Sequence, residues 1–109
     1  MSYFIDKDVA WQDLGAGIYR KIVGHTPDLM CTLVRFDKGA IGTPHFHDIH
    51  DQIAYVAAGS FEVEVDGDKR VLRLGDAYIA CKKQMHGVVA LEQDSLLVDQ
   101  FSPRRDDFL

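Results

Sequence analysis

Cysteine is scarce in this 109-residue chain: Cys31 and Cys81 are the two, and they form no CxxC pair. A disulfide framework is thereby excluded, and reduced intracellular thiols are expected. No apolar run is long enough to span a bilayer. The opening MSYFIDKDVAWQDL has no basic start followed by an apolar stretch, so no secretory leader is read and the expected compartment is the cytoplasm. Basic clusters are missing too. Seventeen acidic residues face twelve basic ones, and a net charge of -5 does not suit a nucleic-acid backbone. Repeats, low-complexity tracts and linkers are absent, which predicts one domain over residues 1–109. Capped helical periodicity is absent as well, so almost no helix is expected.

What the chain has is a large apolar fraction, 47%, broken at short intervals by glycine and aspartate. That is enough for a core, although a domain this small leaves much surface exposed, and a homodimer would bury more of it. Phe61-Glu62-Val63-Glu64-Val65 alternates apolar and acidic residues, as a half-buried strand does. Asp66-Gly67 then reads as a tight hairpin turn. Further strands are predicted near 18–23, 29–36, 52–58, 69–74, 76–81, 86–92 and 95–101. Short strands with regular turn signals predict an all-β sandwich or barrel.

His45 and His47 are two apart, so on a strand both rings point to one face and can bite one ion. Gln52 opens the next strand and offers an amide oxygen. His86 begins a later apolar strand. The segment Gly39 to Gly59 resembles the first motif of the cupin family, with Gly39, His45, His47 and Gly59 on the pattern and Gln52 where that family has an acid. Gly75 and His86 match the second cupin motif, whose proline, second glycine and asparagine are here Cys81, Lys83 and Ala90. The resemblance implies an all-β cupin double-stranded β-helix, a jelly-roll barrel. Asp51 is the competing third ligand and the better anion, but it points to the opposite face from Gln52, and the spacing to Gly59 selects Gln52. His50 stands at odd spacing from His47 and reads as a rim residue. Three imidazoles and an amide leave a divalent ion's charge uncompensated, which makes a Lewis acid and an anchor for a carboxylate. Zinc, nickel, cobalt, manganese and iron all suit such ligands.

Near the C-terminus, Leu97, Asp99 and Phe101 share one strand face by parity. A carboxylate between apolar neighbours is costly unless it is paired or useful; the bland reading is an edge strand with Asp99 in solvent. Arg104-Arg105-Asp106-Asp107 reads by composition as a solvated tail, or alternatively as an arginine folded over the barrel mouth.

Nearly the whole chain resembles the KdgF family of small cupins, through His45-x-His47-x-x-x-x-Gln52, the Gly75 to His86 segment, and Asp99-x-Phe101-Ser102-Pro103-x-Arg105-x-Asp107-Phe108-Leu109. The resemblance implies linearisation of 4,5-unsaturated uronate monosaccharides, small anionic sugar acids, in pectin and alginate breakdown. It implies one divalent ion on His45, His47, Gln52 and His86. It also assigns catalytic roles to Asp99, Phe101 and Arg105, with Gln52 tuning the charge of the site. The rival classes are an iron dioxygenase, told apart by oxygen uptake, and a non-enzymatic sugar-binding cupin, usually fused to a DNA-binding helical region that is not read in this chain.

Overall fold

The computed structural model describes residues 2–109. Ten strands follow in chain order: β1 Gln12–Gly15, β2 Ile18–Thr26, β3 Leu29–Phe36, β4 Ile41–His45, β5 Asp51–Ala58, β6 Ser60–Val65, β7 Asp68–Arg73, β8 Ala77–Ala80, β9 His86–Ala90 and β10 Ser95–Ser102. They form two antiparallel sheets, β1-β2-β3-β10-β5-β8 and β4-β9-β6-β7. Among the described residues, helix is confined to single 3-10 turns at Asp6–Asp8 and Asp106–Phe108.

The sequence pattern explains most of this. Along β5, Gln52, Ala54 and Val56 are buried and alternate with exposed Asp51, Ile53 and Tyr55. Along β10, Ser95, Leu97, Asp99 and Phe101 are all buried. The two inner faces close on each other through Phe36, Val56, Phe61, Val63, Val88 and Leu97. Phe36 meets Phe61 edge to face, with ring centroids 5.1 Å apart. Each such side chain contributes about 1.5–3 kcal/mol by leaving water. Asp66 and Gly67 both adopt positive φ, 48° and 84°, as the two-residue turn between β6 and β7 requires.

Two strands escape the pattern. Every residue of β1 is exposed, so it has no apolar face to advertise it. β4 contains Gly42 and Pro44, which argue locally against a strand. Both are edge strands, where such residues are tolerated. β4 ends at His45, so His47 lies in the loop beyond it. The His45–His47 convergence is therefore made by a strand end and a loop, not by the parity of one strand.

Register places the site. β4 pairs with β9 so that His45 lies opposite His86. β10 pairs with β5 so that Phe101 lies opposite Gln52 and Asp99 opposite Ala54. Four separate strands thus deliver polar side chains to one end of the sandwich.

Candidate metal centre and its cavity

The rings of His45, His47 and His86 cluster, with centroids 4.4 Å apart for His45–His86, 4.8 Å for His45–His47 and 5.1 Å for His47–His86. One nitrogen from each lies within 4.8 Å of the others. Gln52 Oε1 is 3.1 Å from both His47 Nε2 and His86 Nε2. Backbone carbonyls set two of the tautomers. His45 Nδ1 donates to Thr43 O at 2.9 Å, and His86 Nδ1 donates to Gln84 O at 3.0 Å. A carbonyl can only accept, so the two Nε2 atoms carry bare lone pairs. His86 Nε2 therefore faces the amide oxygen of Gln52, acceptor against acceptor. A cation between them resolves that conflict. Donors about 2.0–2.2 Å from a shared ion lie about 3 Å apart, the spacing seen.

The electrostatics agree. Burial, helped by the charge of Arg105 and opposed by the bond to Gln52, lowers the His47 pKa to about 4. Burial also lowers His86, again with help from His45 and Arg105. Imidazoles kept neutral at neutral pH are ready ligands. His45, His47 and His86 thus form a group that can hold a metal ion, and Gln52 Oε1 lies beside two of them. Asp51 is turned away on the exposed side, where its two oxygens accept from the Lys82 backbone N–H at 2.9 Å and Nζ at 3.0 Å.

The turn before His86 departs from glycine at Lys83, which nonetheless holds φ 68°. Its N–H donates to His47 O at 2.7 Å. This bond fastens the loop that carries His47. On the other side of that loop, His50 Nε2 donates to Arg104 O at 3.0 Å. His50 is a pin between the loop and the C-terminal segment.

A cavity of about 190 Å³ opens against the cluster. Its walls include His45, Gln52, His86, Asp99, Phe101 and Arg105. Asp99 is 8% exposed on a central strand, so the bland reading of an edge carboxylate in solvent is set aside. Its Oδ1 is buried without a hydrogen-bond partner. Burial pushes its carboxyl up to about 7, against the opposing pull of Gln52 and Arg105. A carboxyl poised there can take and return a proton near neutrality. Phe101 packs edge-on against His47, with centroids 5.9 Å apart.

Arg105 does not trail in solvent; its side chain is 15% exposed. The Nε and Nη2 edge donates to Asp107 at 3.0 and 2.7 Å. Phe101 and Phe108 flank the guanidinium, at 5.2 and 4.3 Å from its carbon. Arg104 points elsewhere, bonding Asp106 at 2.8 Å.

Sequence reading passed over Arg20, Tyr78 and Phe108, which also line the cavity. Arg20 had a signal. It shares a strand face by parity with Ile18 and Ile22, the pattern that singled out Asp99. Phe108 stands in the C-terminal motif, but no role is read for it, because a short C-terminal turn has no periodicity to show where it points.

The cupin-domain family model matches residues 32–98. The pectin degradation protein KdgF of Dickeya dadantii (strain 3937) is 64% identical over 107 residues, covering 98% of this chain and 97% of that one. This chain belongs to the KdgF family of cupins. Solved structures agree with that membership. KdgF from Halomonas sp. is 60% identical with a TM-score of 0.98, covering 100% of this KdgF-family chain and 99% of the other. An RmlC-like cupin from Shewanella frigidimarina is 37% identical with a TM-score of 0.95, covering 100% and 96%. The ten-strand sandwich is therefore a cupin barrel.

Proposed function

We propose that this protein is an enzyme that opens the ring of 4,5-unsaturated uronate monosaccharides, giving linear 5-keto-4-deoxyuronate in pectin and alginate breakdown. Membership in the KdgF family supports this reading. The single observation that carries it is one small cavity lined by His45 and His86 of the metal-competent His group, by a buried Asp99 whose pKa is raised to about 7, and by Arg105.

The substrate is a cyclic hemiacetal whose ring oxygen is also an enol ether. Asp99 takes the proton from the anomeric hydroxyl. The oxygen's electrons form the C1 carbonyl as the bond from C1 to the ring oxygen breaks. An enolate results, and Asp99 returns the proton to C4 to leave the ketone. His45, His47, Gln52 and His86 would hold a divalent ion of the zinc, nickel, cobalt, manganese or iron type, which would supply positive charge where oxygen becomes negative. Arg105 holds the substrate carboxylate with the edge that Asp107 leaves free. Phe101 forms the apolar wall beside the sugar and supports Arg105.

We place this activity in a single domain, residues 1–109, acting in the cytoplasm as a homodimer. Among the described residues no helix is long and apolar enough to cross a membrane. Exposed Ile53, Tyr55 and Ile79 on the outer sheet face are the surface assigned to the second copy, and sedimentation at several concentrations checks it.

The deciding assay follows loss of the substrate's alkene absorbance, with unsaturated sugars derived from galacturonate and from mannuronate. The expected result is metal-dependent loss without oxygen uptake. Absorbance that persists with the metal-loaded protein overturns the reading, and oxygen consumption would redirect it to a dioxygenase.

A further inference from the structure

Arg20 lies on β2, two sheet positions away from the strand that carries Asp99, and lines the same cavity. In the β2–β3 register it sits opposite Val34, which packs against the core, as does Ile18 two residues earlier. Its only hydrogen-bond acceptor among the described residues is Gln12 Oε1, 3.1 Å from Nη2. Its Nε is sealed from water with no partner. Among the described residues no carboxylate lies within ion-pair distance of it, whereas Arg70, Arg104 and Arg105 each have an aspartate.

Phe108 explains how it is held. The Arg20 guanidinium carbon stands 3.8 Å from the Phe108 centroid, and that of Arg105 stands 4.3 Å from the same centroid. A ring has two faces, and two guanidiniums this close take one each. Arg20, Phe108, Arg105 and Phe101 thus form one cation–ring cluster between β2 and the metal ligands, in which Phe108 also meets Phe101 edge to face with centroids 5.8 Å apart. Two cations flank one ring, with Asp107 as their shared compensation. Burial and the charge of Arg105 both work against the charged form of Arg20. Asp107 is hydrogen-bonded to Arg105 alone, so the Arg20 guanidinium has no carboxylate in direct contact and has room for an anion.

We propose that Arg20 is a second carboxylate-recognising residue of the cavity, acting with Arg105 to select the free acid of a uronate over its neutral ester. The inference rests on the uronate reading above for the identity of the ligand. Stacking on Phe108 fixes the plane of each guanidinium, so little side-chain entropy is lost when an anion docks. An ester presents oxygens but no charge, so it gains least from the second cation.

The test compares Arg20→Gln and Arg20→Lys with the unaltered protein on two substrates, the unsaturated galacturonate-derived sugar and its methyl ester. The expected result is a drop of about tenfold or more in the acid-to-ester ratio of kcat/KM for Arg20→Gln, carried by KM, with metal content unchanged. Arg20→Lys keeps charge and loses the planar stack, and its ratio should fall between the two. Equal losses on acid and ester would show a packing role through Phe108 and overturn the proposal, as would an unchanged ratio. Calorimetry with D-galacturonate and its methyl ester reads acid recognition without turnover. An Arg20-dependent preference there, in a protein that turns over neither sugar, supports this inference while the uronate-opening function fails. Turnover with an Arg20-independent preference does the reverse. Should Arg20→Gln not fold, Arg20→Lys carries both measurements alone.

Discussion

At the scale of single residues, chemistry is concentrated in side chains whose surroundings oppose their ordinary state. Asp99 is a carboxyl kept in a dry place with one oxygen unpartnered. Asp99→Asn preserves shape and removes the exchangeable proton. Turnover of the unsaturated uronate should fall about a hundredfold or more, the scale for losing a positioned acid/base group. Elemental analysis should show the metal retained, and native-rate turnover would remove Asp99 from the mechanism. In the proposed mechanism Gln52 tunes the other pole of the site. Gln52→Glu should keep the ion but cancel one unit of its charge next to an anionic substrate. A loss of about tenfold, corresponding to about 1.4 kcal/mol, is expected in kcat/KM. Undiminished kcat/KM at full metal occupancy would mean that the amide has no electrostatic part. Both positions are legible in the sequence, Asp99 because a polar residue on an apolar strand face stands out by parity and Gln52 because its spacing to Gly59 matches the first cupin motif. Arg20 obeys the same rule, but its neighbours Ile18 and Ile22 sit in a strand with no motif to draw attention to it. What parity cannot supply is the partner: the Phe108 stack exists only once the C-terminal segment crosses β2.

At the scale of elements, strand register and close approach hold the ligands together. His86 is followed by Gly87, and a Cβ there would lie 2.9 Å from Pro44 Cγ and 3.0 Å from the Pro44 backbone. Pro44 precedes His45, so β4 and β9 approach because position 87 has no side chain. Gly87→Ala should force β4 outwards and separate His45 from His86. Metal affinity, measured by competition with a chelator of known strength, should weaken about tenfold or more, a magnitude typical of disturbed ligand support. Unaltered affinity would show that β4 adjusts without moving His45. The hairpin at Asp66-Gly67 and the alternation along β5, β6 and β10 were legible from residues alone. The strand character of β4 was not, since glycine and proline there obey tertiary demands: one edge free of partners and one backbone pressed close.

At the scale of the molecule, the proposed ligands come from two sheets, which would link folding to metal binding. His45 and His86 belong to the four-stranded sheet and Gln52 to the six-stranded one, so an ion held by all three would bridge the two layers. Binding to the folded chain at a thousandfold excess over Kd adds about 4 kcal/mol. For a domain of this size about 1 kcal/mol moves Tm by roughly 4–8 °C. Stripping the ion with a chelator should therefore lower Tm by well over about 10 °C in a thermal scan. His47→Ala should melt at the stripped temperature with or without chelator. A Tm indifferent to chelator in the unaltered protein would argue against a bridging ion.

The loop that carries His47 is tied on both sides, to Lys83 by a backbone hydrogen bond and to Arg104 through His50. That double tether has a kinetic meaning. Lifting the loop would remove His47 from an ion held there, and it breaks contacts to two other parts of the chain at once. The residence time of such an ion would then depend on a local opening as well as on ligand strength. The Lys83 amide is a built-in clock for that event. Its hydrogen-exchange rate should fall steeply on metal loading, while amides in the exposed edge strand β1 keep the same rate. An amide at Lys83 that exchanges equally fast with and without the ion would mean that the gate stands open.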